Sequence, residues 1–232
     1  MMLAATGATV VAAGVAAYGA FHRNNGVFGH AMGTLPDDDP TEPVVSITFD
    51  DGPNPYATPV ILDALAKYGV RATFFILGRH AERWPELVAR AAREGHQIGN
   101  HGYYHQKLHL KSPAYIRDDL ERGKRAIEMA GGGTPKVFRA PHGFRNPWVT
   151  PIARKLGERT IGWSLGVWDS DCPGVDAIVD RSLNGVTAGS ILLLHDGDGY
   201  DPLGDRMQTA HALPKIIAGL KLRGYSFSTL PV

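Results

Sequence analysis

The chain has 232 residues, of which 44% are hydrophobic and 20% are charged, and its formal net charge is +1. This balance is typical of a globular protein and excludes a disordered or fibrous chain. It also argues against a nucleic-acid-binding protein, because no dense stripe of Lys and Arg occurs. The single cysteine, Cys172, has no partner for an internal disulfide bond.

Residues 1–20 contain no charged side chain and are long enough to cross a bilayer, but they lack the basic start of an ordinary signal peptide. We predict a hydrophobic signal or anchor segment here, with residues 2–20 as the part that would hold a membrane. A buried terminal helix is the alternative. Arg23 follows this segment, and the positive-inside tendency would place it in the cytoplasm, which conflicts with export. Residues 21–43, rich in Gly, Pro and Asp, are predicted to form a linker.

Residues 44–232 alternate between short apolar, β-branched runs and longer runs of helical period. The predicted strands are VVSITF, ATFFIL, HQIG, KVFR, RTIGWSL, SILLLH and YSFSTL. The predicted helices between them are TPVILDALAKYG, WPELVARAAREG, PAYIRDDLERGKRAIEMA, PWVTPIARKLG, VDAIVDRSLNGV and RMQTAHALPKIIAGLKLRG. This alternation predicts an α/β domain of parallel strands joined by helices, either a barrel or an open doubly wound sheet.

Unusual polar residues follow several of the predicted strands. They are Asp50 and Asp51 after the first strand, His101 and His105 after the third, Arg139 after the fourth, Asp169 after the fifth, and His195 and Asp196 after the sixth. Folds with parallel strands place their active sites at the carboxyl ends of those strands. We therefore expect these side chains to converge on one site.

Asp51, His101 and His105 form a candidate metal site. The two histidines of HGYYH are four residues apart, so on a helical turn they would face the same way. Two imidazoles and one carboxylate leave a coordination position open for water, as in hydrolytic zinc sites. The predicted cofactor is a divalent metal ion, with Zn²⁺ favoured and Co²⁺ or Ni²⁺ as alternatives. From this spacing alone, a coincidental surface pair of histidines explains the pattern as well as a pair of metal ligands does.

The remaining polar residues supply acid–base chemistry. Asp50 would take a proton from a water molecule that the metal activates, and His195 would protonate the leaving group. Arg139 would pair with Asp50 and keep its carboxylate ionised. Either Asp169 or Asp171 would orient the imidazole of His195. The alternatives are a turn or helix N-cap for one aspartate, a backbone hydrogen bond for the histidine, and a surface salt bridge for the arginine.

The segments TFDDG, HGYYH, RAPHG, WSLGVWD and LLLHD, in this order, resemble the NodB-homology polysaccharide deacetylases of carbohydrate esterase family 4. The resemblance covers residues 44–232 and implies a distorted (β/α)7 barrel. It also implies a zinc-type metalloenzyme that removes N-acetyl groups from a polysaccharide containing N-acetylglucosamine, such as peptidoglycan or a chitin-like glycan. We expect such an enzyme to be a monomer and to act outside the cytoplasm, secreted or membrane-anchored.

The resemblance implies the same metal ligands, the same base and acid, and the same arginine beside the base. It adds a substrate-binding group. That group consists of Pro141, His142, Gly143, Trp163, Trp168 and Leu193. The backbone N–H of His142 would help to stabilise the oxyanion, and the last three residues would enclose the acetyl methyl group. Gly102 stands where the family usually has Ser or Thr, RAPHG replaces Arg-Pro-Pro-Tyr-Gly, and Ser170 replaces a common tryptophan. None of these departures removes a predicted ligand or acid–base residue.

Other functions fit part of the pattern. A non-catalytic carbohydrate-binding protein on the same fold would lack at least one of the predicted ligands or acid–base residues. An O-acetyl esterase acting on acetylated xylan is a further alternative. Iron-dependent oxygen chemistry would leave Asp50 and His195 without a role, and a glycoside hydrolase would not need His101 and His105.

Overall fold

The computed structural model describes residues 2–36 and 42–232, which contain eight strands and eight α-helices. The strands are β1 (Val44–Asp50), β2 (Thr73–Ile76), β3 (Gln97–Asn100), β4 (Val137–Phe138), β5 (Arg159–Thr160), β6 (Leu165–Gly166), β7 (Ile191–His195) and β8 (Ser226–Phe227). The helices are α1 (Met2–Phe21), α2 (Ala57–Tyr68), α3 (Gly78–Arg83), α4 (Pro85–Arg93), α5 (Pro113–Met129), α6 (Val149–Lys155), α7 (Val175–Gly185) and α8 (Met207–Leu222).

The strands form one parallel sheet in the order β5-β4-β3-β2-β1-β7-β6, and β8 pairs with β1 away from this path. The sheet curls into a half-barrel, so the predicted α/β class and distorted-barrel architecture are confirmed. All strands of a parallel sheet end at the same edge. The polar residues that follow them are therefore carried to one end of the half-barrel.

One predicted strand is two strands in the structure. The run RTIGWSL contains β5, which pairs with β4, and β6, which pairs with β7. These two strands lie at opposite ends of the strand order. Residues 161–164 cross between the ends of the curled sheet, so the run cannot continue in a single ladder.

The core explains why the apolar runs form strands. β1 lies between β2 and β7, and residues 45–50 are all buried. Phe49 stacks on Phe74 of the neighbouring strand with ring centroids 5.0 Å apart. Helices α2 and α8 cover the same part of the sheet with residues that include Ile61 and Ile216. In the sequence, a strand that is covered on both faces appears as a continuous apolar run rather than an alternation of apolar and polar residues.

Local sequence signals fix several helix boundaries. The side chain of Ser112 accepts a hydrogen bond from the backbone N–H of Tyr115, and Pro113 occupies the first turn of α5. Helix α2 ends at Gly69, whose φ of 63° is left-handed and suits glycine. Helix α3 was not predicted from the sequence.

The described residues of the predicted linker make contacts with the α/β domain. Met32 donates its N–H to the Thr160 carbonyl and accepts from the Gly162 N–H, and Thr34 forms a bridge with Ser190. Met32 and Leu35 are buried. These residues bring backbone partners and apolar side chains to the seam between the two ends of the sheet. Residues 37–41 of the predicted linker lie outside the described residues.

The charge-free segment coincides closely with helix α1. Across the described part of the chain, no helix combines the length and apolar character that a membrane span needs.

A buried carboxyl group lies behind the sheet. Both oxygens of Glu158 accept from the side-chain amide of Asn100, at 3.0 and 3.2 Å. Burial raises the pKa of Glu158 to about 8, and the hydrogen bond from Asn100 only partly opposes this shift. The carboxyl group is therefore protonated in the folded protein at neutral pH.

We predict that Glu158→Gln flattens the dependence of stability on pH. Between the pKa of an unfolded glutamate, 4.5, and about 8, the folded state keeps a proton that the unfolded state loses. The free energy of unfolding should therefore fall as pH rises through this window, by at most about 1.4 kcal/mol per pH unit. Thermal unfolding at several pH values measures the effect. Glu86→Gln, at an exposed position, is the control; an equally steep curve for Glu158→Gln would contradict the prediction.

Candidate active site

The two aspartates at the end of β1 face one cavity. Asp50 is the last residue of the strand and is in register with His195 of β7. Asp51 leaves the strand with a left-handed φ of 71°. On a continuing strand the two side chains would point to opposite faces. The turn at Asp51 removes that alternation, and both carboxylates line the same cavity.

The three predicted metal ligands lie together. Asp51 Oδ1 is 3.3 Å from His101 Nε2 and 3.1 Å from His105 Nε2. One ligand atom from each residue lies within 4.8 Å of the other two, and all three side chains are buried. One carboxylate and two imidazoles at these distances match the donor set of a catalytic divalent metal site.

The histidines do not lie on a helical turn, so that part of the sequence interpretation is wrong. Residues 101–107 form an irregular loop in which Gly102 and His105 have φ values of 77° and 58°. The Asp119 carboxylate accepts from the backbone N–H groups of Tyr103 and Tyr104, both at 3.1 Å. A buried acid on α5 therefore fixes the loop and brings the two imidazoles together.

Hydrogen bonding orients the imidazole rings. His101 Nδ1 donates to the Arg139 carbonyl at 2.8 Å, which leaves Nε2 as the ring nitrogen that faces Asp51. Burial alone would lower the pKa of His101, but the Asp50 and Asp51 carboxylates outweigh burial and raise it. Burial lowers the pKa of His105 to about 3, and the Asp51 carboxylate opposes this shift only in part. Burial alone would raise the pKa of Asp51, but His105 and His101 outweigh burial and hold it below its usual range. One carboxylate and two imidazoles thus face one point, and these are groups that bind a metal ion in their deprotonated forms.

Arg139 pairs with Asp50 as the sequence predicts. Its Nη1 atom donates to Asp50 Oδ1 at 2.7 Å and to the Thr48 hydroxyl at 2.8 Å, and Nη2 donates to the Gly162 carbonyl. The arginine side chain is completely buried. This pairing holds one carboxylate oxygen and leaves Oδ2 of Asp50, which is 3.8 Å from His101 Nε2, towards the metal ligands.

Asp169, not Asp171, contacts His195. Asp169 Oδ1 accepts from His195 Nδ1 at 2.9 Å, and Oδ2 accepts from the His195 N–H and the Thr209 hydroxyl. Asp171 is exposed. Burial alone would lower the pKa of His195, but the Asp169 carboxylate outweighs burial and raises it to about 9. The imidazole is therefore a proton donor at neutral pH.

The cavity has a volume of about 560 Å³. His142, Trp163, Trp168 and Leu193 line it, together with six polar residues described above: Asp50, Asp51, His101, His105, Asp169 and His195. Pro141 and Gly143 are not among the residues that line the cavity, and their contact with substrate stays a prediction. Both are buried, and a Cβ atom on Gly143 would lie 2.8 Å from the Trp163 ring, so this residue supports the wall from behind.

Sequence reasoning did not assign several other cavity residues to the site. They are Phe21, Arg23, Phe144, Gly166, Val167, Ser170, Asp198, Gly199 and Arg206; Tyr200 was considered only as an aromatic for sugar stacking. Tyr200 accepts or donates a hydrogen bond at His142 Nε2, 2.9 Å away. Phe21 and Arg23 come from the predicted linker. One hint of their role was present in the sequence, because an aromatic and a cationic residue follow the charge-free residues 1–20.

Comparison with known proteins decides the family. The family model for polysaccharide deacetylase matches residues 37–161, more than half of the chain. The chain belongs to the polysaccharide deacetylase family. It is 39% identical to a chitooligosaccharide deacetylase of Bradyrhizobium sp. over 196 residues, which cover 81% of this chain and 89% of that protein. It is 40% identical to a peptidoglycan-N-acetylglucosamine deacetylase of Bacillus cereus over 194 residues, which cover 82% and 87%.

A solved structure supports the same assignment. The crystal structure of the Bc1960 peptidoglycan N-acetylglucosamine deacetylase superposes with a TM-score of 0.79 and 34% sequence identity, covering 87% of this chain and 91% of that chain. The predicted resemblance to carbohydrate esterase family 4 is confirmed, and the chain has the fold of this enzyme family.

We predict that Gly102→Ala weakens metal binding. The new Cβ would lie 2.4 Å from Asp119 Oδ2, and the φ of 77° is unfavourable for alanine. The loop that carries both histidines would have to move, so we expect an affinity for Zn²⁺ or Co²⁺ lower by about tenfold, as for other residues that orient metal ligands. Calorimetric titration of metal into the protein measures this change.

Gly133→Ala is the matched control. Gly133 also has a left-handed φ, of 72°, but no atom lies within 4 Å of its Cβ position. This variant should carry the backbone strain and keep the metal affinity. Equal affinities for Gly102→Ala and the original protein would contradict the prediction.

Proposed function

We propose that this polysaccharide deacetylase is a metal-dependent hydrolase that removes N-acetyl groups from N-acetylglucosamine residues of a glycan. One observation carries the proposal: three metal-ligand side chains, a carboxylate paired with a buried arginine, and an imidazole paired with a buried carboxylate line a single cavity. A hydrolysis of this kind needs a bound metal ion that polarises the carbonyl group, a base and an acid. The cavity has candidate residues for each of these three roles.

The donor set fits a divalent ion, with Zn²⁺ as our choice and Co²⁺ or Ni²⁺ as alternatives. Asp51 Oδ1 is buried and accepts no hydrogen bond in the described residues, which is costly for a carboxylate unless a cation balances it. A divalent ion held by Asp51, His101 and His105 would polarise the acetamide carbonyl and lower the pKa of a water molecule.

Asp50 is the proposed base. Its Oδ2 would take a proton from the water molecule as the oxygen of that water forms a bond to the acetyl carbon. Arg139 fixes the orientation of the carboxylate through a hydrogen bond to Oδ1. The removal of that proton by a positioned group contributes about 10²–10⁴-fold to the rate of comparable reactions.

His195 is the proposed acid, and Asp169 positions it. Because Nδ1 donates to Asp169, Nε2 is the nitrogen left for the cavity. It would protonate the glucosamine nitrogen as the carbon–nitrogen bond breaks, which releases acetate and a free amine. Trp163, Trp168 and Leu193 would enclose the methyl group, and the backbone N–H of His142 would contribute to the oxyanion site, as the family resemblance implies.

Peptidoglycan and chitooligosaccharides are the substrates named for the relatives, and we propose a glycan of this class for this protein. Such relatives suggest that the protein acts outside the cytoplasm. Membrane anchoring through residues 2–20 and the monomeric state stay predictions.

We predict that Asp50→Asn lowers kcat for acetate release by at least about 100-fold, because the variant loses the base. Acetate is measured by a coupled assay on peptidoglycan and chitooligosaccharides. Chelator should abolish the activity of the original protein, and Zn²⁺ or Co²⁺ should restore it. Full activity of Asp50→Asn would refute the proposed mechanism, and no acetate from any glycan with metal present would favour a non-catalytic protein.

We predict that Asp169→Asn lowers kcat and narrows the pH profile on its alkaline side. The acid must be protonated, so activity should fall as pH rises through the pKa of His195, which is about 9. Without the Asp169 carboxylate this pKa should drop towards the ordinary value of 6.5, and the alkaline limb of kcat/KM should move to lower pH. Asp171→Asn, at the exposed neighbour, is the control, and an unmoved limb in Asp169→Asn would assign the acid elsewhere.

A further inference from the structure

Residues Phe21–Asn25 pass along the active-site cavity, where Phe21 and Arg23 form part of its wall, and none of the roles above uses them. We call this stretch the N-terminal wall. Phe21 and Arg23 line the cavity beside Trp163. Phe21 is 55% exposed, and its ring lies edge-on to the Phe144 ring at a centroid distance of 5.2 Å. An exposed aromatic ring at the mouth of a carbohydrate cleft is suited to stacking on a sugar.

Hydrogen bonds fix the N-terminal wall to the domain. Arg145 is buried, and its Nη2 atom donates to the carbonyl groups of Arg23 at 3.3 Å and Asn25 at 2.9 Å. The side-chain amide of Asn24 donates to the Trp163 carbonyl at 2.9 Å. A buried arginine without these carbonyl partners would be costly, so the domain depends on the wall being in place.

The domain has glycine residues at the two positions that the N-terminal wall approaches most closely. A Cβ atom on Gly143 would lie 2.9 Å from Arg23 Cβ, and one on Gly162 would lie 2.0 Å from Asn24 Oδ1. Two glycines therefore permit this close approach. The N-terminal wall is therefore packed into the domain as part of the cavity.

The guanidinium of Arg23 is oriented but has no acidic partner. Nε donates to the Trp163 carbonyl at 2.9 Å, and the guanidinium carbon lies 5.0 Å from the centre of the Trp163 ring. Nη2 makes a longer contact of 3.4 Å with the Ser164 carbonyl. In the described residues Nη1 makes no hydrogen bond, and no carboxylate lies within salt-bridge distance. Partial burial lowers the pKa of Arg23, because the charged group loses hydration that a bound anion would replace.

The other arginine of the cavity lining is paired. Arg206 donates to Asp198 at 2.6 Å, and Arg139, behind the lining, donates to Asp50. Arg23 is thus the cavity-lining guanidinium that is left for an external anion, as far as the described residues show. A guanidinium binds a carboxylate through two parallel N–H donors, which gives the contact direction as well as charge.

We propose that Arg23 binds a carboxylate of the glycan and that the enzyme therefore prefers carboxylate-bearing N-acetylglucosamine polymers to neutral ones. This inference rests on the proposed function. In peptidoglycan the carboxylate can come from a free lactyl ether on the neighbouring muramic acid or from the stem peptide attached to that ether. A chitooligosaccharide offers neither.

The test compares kcat/KM for acetate release from three soluble glycans of equal length. They are peptidoglycan fragments with stem peptides, the same fragments after removal of the peptides to expose the lactyl carboxylates, and a neutral chitooligosaccharide. In Arg23→Gln the ratio of kcat/KM for an acidic glycan to that for the neutral one should fall by about tenfold, the value of a hydrogen bond to a charged group. A fall with only one acidic glycan identifies the source of the carboxylate.

Two measurements separate recognition from support of the wall. Raising the salt concentration should raise KM for the acidic glycan in the original protein and should have less effect in Arg23→Gln, because salt screens the charge pair. Arg23→Lys, which keeps the charge, should recover part of the ratio. Arg93→Gln, at an exposed position on α4, should leave the ratio unchanged.

An unchanged ratio in Arg23→Gln, or an equal loss with all three glycans, would overturn the inference. A metal-loaded original protein that releases no acetate from any glycan would instead refute the proposed function. Calorimetric binding of the acidic and neutral glycans would then decide the role of Arg23: tighter binding of the acidic glycan that is lost in Arg23→Gln supports it, and equal binding overturns it.

Discussion

Two carboxylates, Asp50 and Asp51, lie side by side in a buried cavity, and their charge has to be balanced from other strands. Burying an unpaired carboxylate would cost several kcal/mol. Arg139, itself completely buried, neutralises Asp50 from the end of β4, while the imidazoles of His101 and His105 surround Asp51. The two acids thereby acquire different surroundings: one keeps an oxygen free beside a guanidinium, and the other faces only metal-type ligands. Different proposed roles follow from this difference in environment.

Backbone strain is concentrated around the same cavity. Five non-glycine residues in the described part of the chain have a left-handed φ, and four of them line the cavity: Asp51, His105, His142 and Trp168. Such conformations cost roughly 1–3 kcal/mol each and persist where surrounding structure enforces them. At Asp51 the turn brings into the cavity a side chain that a continuing strand would direct to the opposite face. The site is held in shape by hydrogen bonds such as those from Tyr103 and Tyr104 to Asp119.

The sequence was sufficient for most of the elements and for the convergence of the polar residues, because periodicity is local and parallel strands end at one edge. It did not reveal the short helix α3 or the division of RTIGWSL into β5 and β6. It was misleading for the histidines, whose spacing suits a helix but whose loop depends on Asp119, a residue with no sequence signal of its own. It also missed the N-terminal wall. Residues 21–25 reach their partners Arg145 and Trp163 only through contacts some 120–140 positions away along the chain, and the composition of that stretch is typical of a linker.

The seam between the two ends of the curled sheet is closed by residues that precede the region matched by the family model. The family match starts at residue 37, yet the bridges from Met32 to Ile161 and from Thr34 to Ser190 lie before that point. A protein truncated to the conserved family region would leave these backbone groups unpaired, uncover Ile161, and deprive Arg145 of its carbonyl acceptors. The region matched by the family model therefore holds the metal ligands and Asp50, whereas the seam residues before position 37 and the pair Asp169–His195 lie outside it.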